Sequence, residues 1–313
     1  MNLVEYIRKE SVNALFQTNS FSNFWEHINP SVQNSLTPMT ASTVMNIGDQ
    51  LGPLFRGNLT ERSQSGVSQA GTTWECFVCW YLNLCLIGSR TVVFRQSKHF
   101  IPQPISEALT VTYNTFRSNT ESDLIAITFP DRPVYTDSTD NLVENSNHLL
   151  DDVSLAKRNG KLNYLPIINL LADVHFQDYQ VVVIQCKTNW NDNAQIPMLW
   201  DMIYSAEGFN SNRNIVVGTN GYSIRALNRF AYAFATVPTV ALNKLTPTSI
   251  SVRRVANLSG GNYWGHSSVS GVANSLKEIF NRHFSDSSHI DIRNRLTNEI
   301  ENFNTEYAYF RVN

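Results

Sequence analysis

The segment YQVVVIQCK, Tyr179–Lys187, constrains the fold more than any other part of the chain. Val181–Ile184 are four consecutive apolar residues, three of them valine. A run without alternation fits a strand covered on both faces. This strand therefore belongs at the centre of a sheet with a layer on either side.

The surrounding pattern supplies those layers. Thr72 or Thr73 can cap a helix at Trp74–Ile87, which Gly88-Ser89 stops. Arg90–Gln96 (RTVVFRQ) and Ser122–Phe129 (SDLIAITF) read as β-branched strands, the second ended by Pro130. Ala194–Ala206 reads as a helix with Pro197 in its first turn. Further strands are expected at Asn214–Gly218 and Phe230–Val237, strand and loop over 241–266, and helices at Val269–Phe284 and Ile290–Phe303. Arg62–Thr73 is polar and rich in Gly and Ser, and is expected to be a loop. The alternation implies an α/β protein with a central mixed sheet flanked by helices. Residues 1–60 form an N-terminal helical region and 61–240 the core. The core carries an irregular insertion at about 130–177, with a short helix at Asn163–Val174. Residues 241–313 are the C-terminal addition of strand, loop and helices.

Composition narrows the classes. The chain has 313 residues, 42% of them apolar and 16% charged, which supports a core and excludes wholesale disorder. Its longest uncharged apolar run, near Phe77–Ile87, is about half of the roughly 20 residues that a bilayer requires. The polar N-terminus MNLVEYIRKE lacks the pattern of a secretory signal, so a cytoplasmic protein is expected. A net charge of −2 excludes nucleic-acid binding by bulk charge alone, though not a locally basic groove. Asparagine is abundant, at 35 residues; amides suit base readout, but an AT-rich coding sequence is the simpler source. Cys76, Cys79 and Cys85 share one apolar stretch, and with Cys186 they read as buried thiols rather than zinc ligands. The turn at GTNGYS lacks the lysine and spacing of a phosphate loop.

The residues at the element ends carry the chemistry. Glu75 lies in the first turn of the Trp74 helix, Asp123 opens the second strand, and Gln185 and Lys187 close the central one. A period of two puts Gln185 and Lys187 on one face with Cys186 on the other. A lysine there requires carboxylate or ligand partners. Phosphodiester cleavage needs a hard cation, an activated water and charge relief in the transition state. Asp123, the Gln185 side-chain oxygen and the Cys186 backbone carbonyl could ligate Mg²⁺, which keeps waters and takes substrate oxygens. Lys187 would polarise the attacking water, and Glu75 would order water or hold a second ion. Each residue also has a plain structural role open to it. Glu75 complements a helix N-terminus, Asp123 suits a turn, and Lys187 can snorkel out of the sheet.

This set of residues resembles the PD-(D/E)XK nuclease superfamily: Glu75 on a helix, Asp123 on a strand, and Gln185-Cys186-Lys187 ending the next strand. The approach QSGVSQAGTTWE and the segment QCKTNWNDNAQIPMLWDMIY are similar to those of type II restriction endonucleases, over roughly residues 65–240. The resemblance implies a restriction-endonuclease-like core and a Mg²⁺-dependent, site-specific endonuclease of double-stranded DNA. Such an enzyme would act as a homodimer in the bacterial cytoplasm, with no small-molecule cofactor and no membrane partner. A repair or junction-resolving nuclease, or a DNA-binding protein on a decayed nuclease fold, are the alternatives. Two departures stand out: Gln185 replaces the usual acidic residue, and the interval from Asp123 to Lys187 exceeds a hairpin. Asp178 is a rival for the strand aspartate and Asp173 a weaker third, with Asp123 preferred because LIAI follows it. Base and backbone contacts are expected from Lys157, Arg158 and Lys161 in the insertion and from Arg253 and Arg254. Asp201 on the Ala194–Ala206 helix and Glu207 just after it read as solvated.

Overall fold

The computed structural model describes residues 1–58, 64–96, 100–119, 122–146, 148–151, 157–158, 161–188, 195–205, 214–237, 242–266, 269–284 and 292–312, with backbone alone at 64–68, 119, 143, 157–158, 161 and 242. In chain order, helices α1 (Leu3–Leu15), α2 (Asn19–Ser35), α3 (Ala41–Gly57) and α4 (Gln64–Cys85) precede strand β1 (Thr91–Arg95). Then come α5 (Gln103–Leu109), β2 (Thr110–Tyr113), β3 (Phe116–Asn119) and β4 (Leu124–Thr128). The insertion holds α6 (Pro133–Thr136), α7 (Leu142–Asn145), β5 (Lys157–Arg158), β6 (Lys161–Leu162) and α8 (Tyr164–Val174). They are followed by β7 (Gln180–Lys187), α9 (Gln195–Ser205), β8 (Ile215–Val217) and β9 (Arg229–Thr236). The C-terminal part contains α10 (Ile250–Ala256), β10 (Asn262–Tyr263), α11 (Ile292–Ile300) and α12 (Phe303–Glu306).

The fold is mixed α/β. Five strands form the central sheet in the order β1-β4-β7-β9-β10. β1 and β4 are antiparallel, as are β4 and β7. β9 runs parallel to β7, with α9 in the crossover between them. β7 is the central strand, and its residues alternate between two cores. Val182, Ile184 and Cys186 face α4, while Val181 and Val183 face the side that α8 and α9 cover. This is the two-sided burial that an unbroken apolar run demands.

β1 is an edge strand, yet α1 and α4 bury it. A buried edge leaves backbone groups that water cannot reach. Asn83 of α4 supplies both halves of a strand partner: its Oδ1 accepts from the Val93 N–H at 3.0 Å and its Nδ2 donates to the Val93 carbonyl at 2.7 Å. Arg8, with 0% exposure, donates to the carbonyls of Thr91 at 2.7 Å and Ser89 at 2.8 Å. Its charge is met by Glu5 at 3.0 Å, whose other oxygen accepts from the Gly88 N–H.

Several elements differ from the sequence expectation. The segment expected as a loop at 62–73 is helical from Gln64, so α4 is longer than Trp74–Ile87. Each glycine in it costs about 1 kcal/mol against alanine, but extending a helix that is already nucleated is easy. The strand expected within 241–266 is largely replaced by α10, which buries Val252 and Val255 three residues apart. Val269–Phe284 is not one helix; it holds an isolated bridge, a 3₁₀ turn at Leu276–Glu278 and a π turn at Phe280–Phe284. β8 does not join the central sheet but pairs with β2 in a separate three-stranded sheet, β3-β2-β8. No helix among the described residues is long and apolar enough to cross a membrane.

Removal of Arg8 leaves Glu5 and two strand carbonyls buried without their donor. Arg8→Ala is expected to lower stability by about 3–5 kcal/mol, read as a fall in the urea midpoint at unchanged m-value.

Candidate active site

The antiparallel register of β4 on β7 pairs Leu124 with Ile184, so Asp123 and Gln185 are the next opposed positions beyond the ladder. There the ladder ends and the Asp123 carboxylate takes it over. Asp123 Oδ2 accepts from the Cys186 N–H at 2.6 Å. In an antiparallel pair the N–H and C=O of one residue point to the same side. The Cys186 carbonyl therefore faces the β4 side, beside Asp123, at the carboxyl end of β7. The main chain of Asp123 is fixed from its other side, where its carbonyl accepts from the Gln96 N–H at 3.1 Å.

Glu75 enters from α4. Its Oε2 accepts from Arg95 Nε at 3.0 Å, and both side chains are partly exposed. A pair this open to solvent contributes about 0–1 kcal/mol to stability. Arg95 ends β1 on the same face as Val93, which packs towards α4. The Cys186 thiol is buried on the α4 side of the sheet. Burial pushes its pKa up, and the charges of Asp123 and Glu75 push it further, while Lys187 opposes them. Those three charged groups therefore lie within electrostatic reach of one atom. Burial likewise pushes the Cys76 thiol up to about 11. All four cysteines are free and buried, as the sequence implied.

Gln185 behaves differently. Its side chain is 0% exposed and turns to the face opposite α4, where Oε1 accepts from the Tyr232 hydroxyl at 3.0 Å. Lys187 follows on the same face and is half-buried; its carbonyl accepts from the Thr236 hydroxyl at 2.6 Å. Glu75 and Gln185 thus approach the strand ends from opposite faces of the sheet. Asp123, the Cys186 carbonyl and Lys187 lie on the rim where those faces meet.

The rivals for the strand aspartate lie elsewhere. Asp178 precedes the opposite end of β7 and is paired with Arg132 at 2.7 Å. Asp173, on α8, accepts from the Tyr222 hydroxyl. Asp201 corrects the expectation of a solvated carboxylate. It is buried, with Oδ2 accepting from the Ser259 N–H at 2.9 Å and Oδ1 from its hydroxyl at 2.6 Å. Burial raises its pKa, against the pull of those two bonds. Glu207 lies outside the described residues. Lys157, Arg158 and Lys161 fall on the short β5–β6 hairpin, whose side chains at those positions lie outside the described ones. Arg253 is exposed and Arg254 half-buried on α10.

The rim offers hard oxygens from Asp123, Glu75 and the Cys186 carbonyl. Among the described residues no group of three or more His, Cys, Asp or Glu side chains could hold a metal ion. That set fits Mg²⁺, which binds through one or two carboxylates and completes its shell with water and substrate oxygens; it does not fit an all-protein cage. Arg95 is the rim residue that the sequence reading passed over. Its signal was present in the alternation of β1, which sets Arg95 two residues beyond core-facing Val93. No family model matches the chain, and no curated protein matches it in sequence.

The Tyr232–Gln185 bond supports the closed end of this site. Tyr232→Phe withdraws that donor from a buried amide, and an expected loss of about 1–3 kcal/mol is measured by chemical denaturation.

Proposed function

We propose that the chain is a Mg²⁺-dependent endonuclease of double-stranded DNA, of the PD-(D/E)XK kind, cutting at specific sites as a homodimer. The observation that carries this reading is the Asp123 carboxylate held on the Cys186 N–H at 2.6 Å at the end of β7, with Lys187 next in the strand and Glu75 paired with Arg95 at the end of β1. It is supported by the element order helix, strand, strand, strand, helix, strand. The corresponding sheet pairs are antiparallel, antiparallel and parallel.

Asp123 and the Cys186 carbonyl would hold Mg²⁺, whose contribution is Lewis-acid charge on an oxygen of the scissile phosphate. Lys187 lies beside them and carries a cation to the place where negative charge grows during attack, and it can hold a nucleophilic water by hydrogen bonding. Glu75 orients the rim from the α4 side through its carboxylate. Arg253, exposed on α10, has the donor fork for guanine recognition. A two-fold dimer would place one such rim at each strand of a palindromic target.

A second reading, a DNA-binding protein without cleavage, is favoured by one observation. The Gln185 oxygen is engaged with Tyr232 inside the core. Incubation of plasmid DNA with Mg²⁺ and with EDTA separates the two. Discrete fragments with Mg²⁺ alone support the endonuclease, whereas retarded but intact DNA supports the binder.

Lys187→Ala is expected to abolish cleavage while DNA affinity stays within about tenfold of wild type, because this lysine acts on the reacting groups rather than on base edges. Wild-type cleavage by that variant would remove Lys187 from the mechanism. Gln185→Glu tests the neutral ligand. A buried carboxylate is costly even where the Tyr232 hydroxyl donates to it, so the variant is expected to melt lower in EDTA. Added Mg²⁺ should raise its melting temperature more than that of wild type. Equal shifts in the two proteins would show that residue 185 does not touch the ion.

A further inference from the structure

We propose that Arg95 binds a backbone phosphate of the DNA, exchanging its bond to Glu75 for the phosphate oxygens. The inference rests on the DNA-nuclease reading above and adds to it a residue with a defined ligand.

Three observations carry the assignment. The first is position. Arg95 and Gln96 end β1 directly beside Asp123, because the Gln96 N–H donates to the Asp123 carbonyl at 3.1 Å. A phosphodiester presented to Asp123 and Lys187 therefore meets the end of β1 as its neighbour. The second is spare donor capacity. The Glu75 bond uses Nε, one of five N–H donors in the guanidinium. The side chain remains 36% exposed, unlike Arg8, which is 0% exposed and committed to buried carbonyls. The third is room. Arg95 forms one wall of a cleft of about 160 Å³, with Ser11, Leu15, Gln96 and Phe100 among the others. An open cleft beside a half-exposed guanidinium admits an anion without rearrangement of the core.

The exchange has a consequence for Glu75. While Arg95 holds its carboxylate, the pair is neutral and attracts cations weakly. Once a phosphate takes the guanidinium, the Glu75 carboxylate is free to serve the rim. Binding of DNA and loading of the divalent cation would then reinforce each other.

Mixed-sequence duplex DNA is a sufficient probe, because phosphate contacts carry non-specific binding. Its affinity is measured by fluorescence anisotropy in Ca²⁺ buffer at several salt concentrations, with wild type, Arg95→Met, Arg95→Lys and Glu75→Gln. Arg95→Met is expected to bind about tenfold more weakly at low salt. Its plot of log K against log salt should be shallower by about 0.9, the value for one phosphate contact. Arg95→Lys retains the charge and should keep most of the slope, which also controls for misfolding. Glu75→Gln releases Arg95 and should bind DNA more tightly than wild type. An unchanged slope for Arg95→Met, in a protein whose wild type binds DNA, overturns the Arg95 assignment alone. Absence of duplex binding by wild type overturns both this assignment and the DNA reading beneath it.

Discussion

The buried edge of β1 is the constraint on which the rest of the molecule depends. A sheet must end somewhere, and an edge strand is ordinarily left to water. Here α1 and α4 cover it, so each outward-facing polar group of Thr91 and Val93 must find a protein partner. Asn83 acts as the missing strand for Val93, whose carbonyl also accepts from the Ser11 hydroxyl, while Arg8 caps the Thr91 carbonyl. These bonds form only at one setting of α4 against the sheet. Glu75 lies eight residues before Asn83 on the same helix, about 12 Å along the axis. Fixing Asn83 therefore fixes where Glu75 meets Arg95. The polar network that stabilises the edge is also what aims the carboxylate.

The charges at the rim explain why glutamine at 185 is compatible with the proposed chemistry. Glu75 and Asp123 supply two negative charges, and Arg95 and Lys187 two positive ones. The set is close to neutral before any ligand arrives. A third carboxylate would strengthen cation binding in the free protein, but it would also repel a phosphodiester. On the proposed reading, with an amide at 185, cation and DNA would each complete what the other lacks: the phosphate would supply oxygens to the cation, and the cation charge to the phosphate. Cooperative loading would then offset the absence of a third carboxylate.

Much of this was legible in the sequence where one force decided the outcome. The run Val181–Ile184 specified a two-sided strand because four adjacent β-branched residues favour extended backbone, which sends their side chains to both faces. Its period of two then set Gln185 and Lys187 on one face. The place of Asp123 at the start of a strand was legible because LIAI follows it and Pro130 closes the segment. What escaped depended on partners far away in the chain. The first ten residues of α4 are polar and contain two glycines, so their local preference points to a loop, and the helix is carried onward from its buried half. The stretch 241–266 read as strand and loop, yet the three-residue spacing of Val252 and Val255 buries one face of a helix against α9 and Phe234 of β9. Asp201 looked solvated because Ser259, which satisfies it, lies 58 residues on. Arg95 was overlooked because a single arginine ending a strand acquires meaning only when Glu75 is seen facing it.

Asp201 also links the second face of the sheet to the site. Its Oδ1 accepts from the Ser259 hydroxyl, whose oxygen in turn accepts from the Tyr232 N–H at 3.0 Å. The phenol of that same tyrosine donates to Gln185. A chain of hydrogen bonds thus runs from α9, through the loop after α10, across β9 and into the end of β7. Each of these bonds joins groups in low dielectric, where a lost bond is costly. The two faces are therefore braced by analogous means. Asn83 and Arg8 hold α4, and with it Glu75; Asp201, Ser259 and Tyr232 hold Gln185 and align α9 with the loop that follows α10. The open rim between these braces holds Asp123, Lys187 and Arg95. Rigid support on both sides with exchangeable charge between them is the arrangement that would let a phosphodiester, on the proposed reading, displace the Arg95–Glu75 pair without disturbing the core.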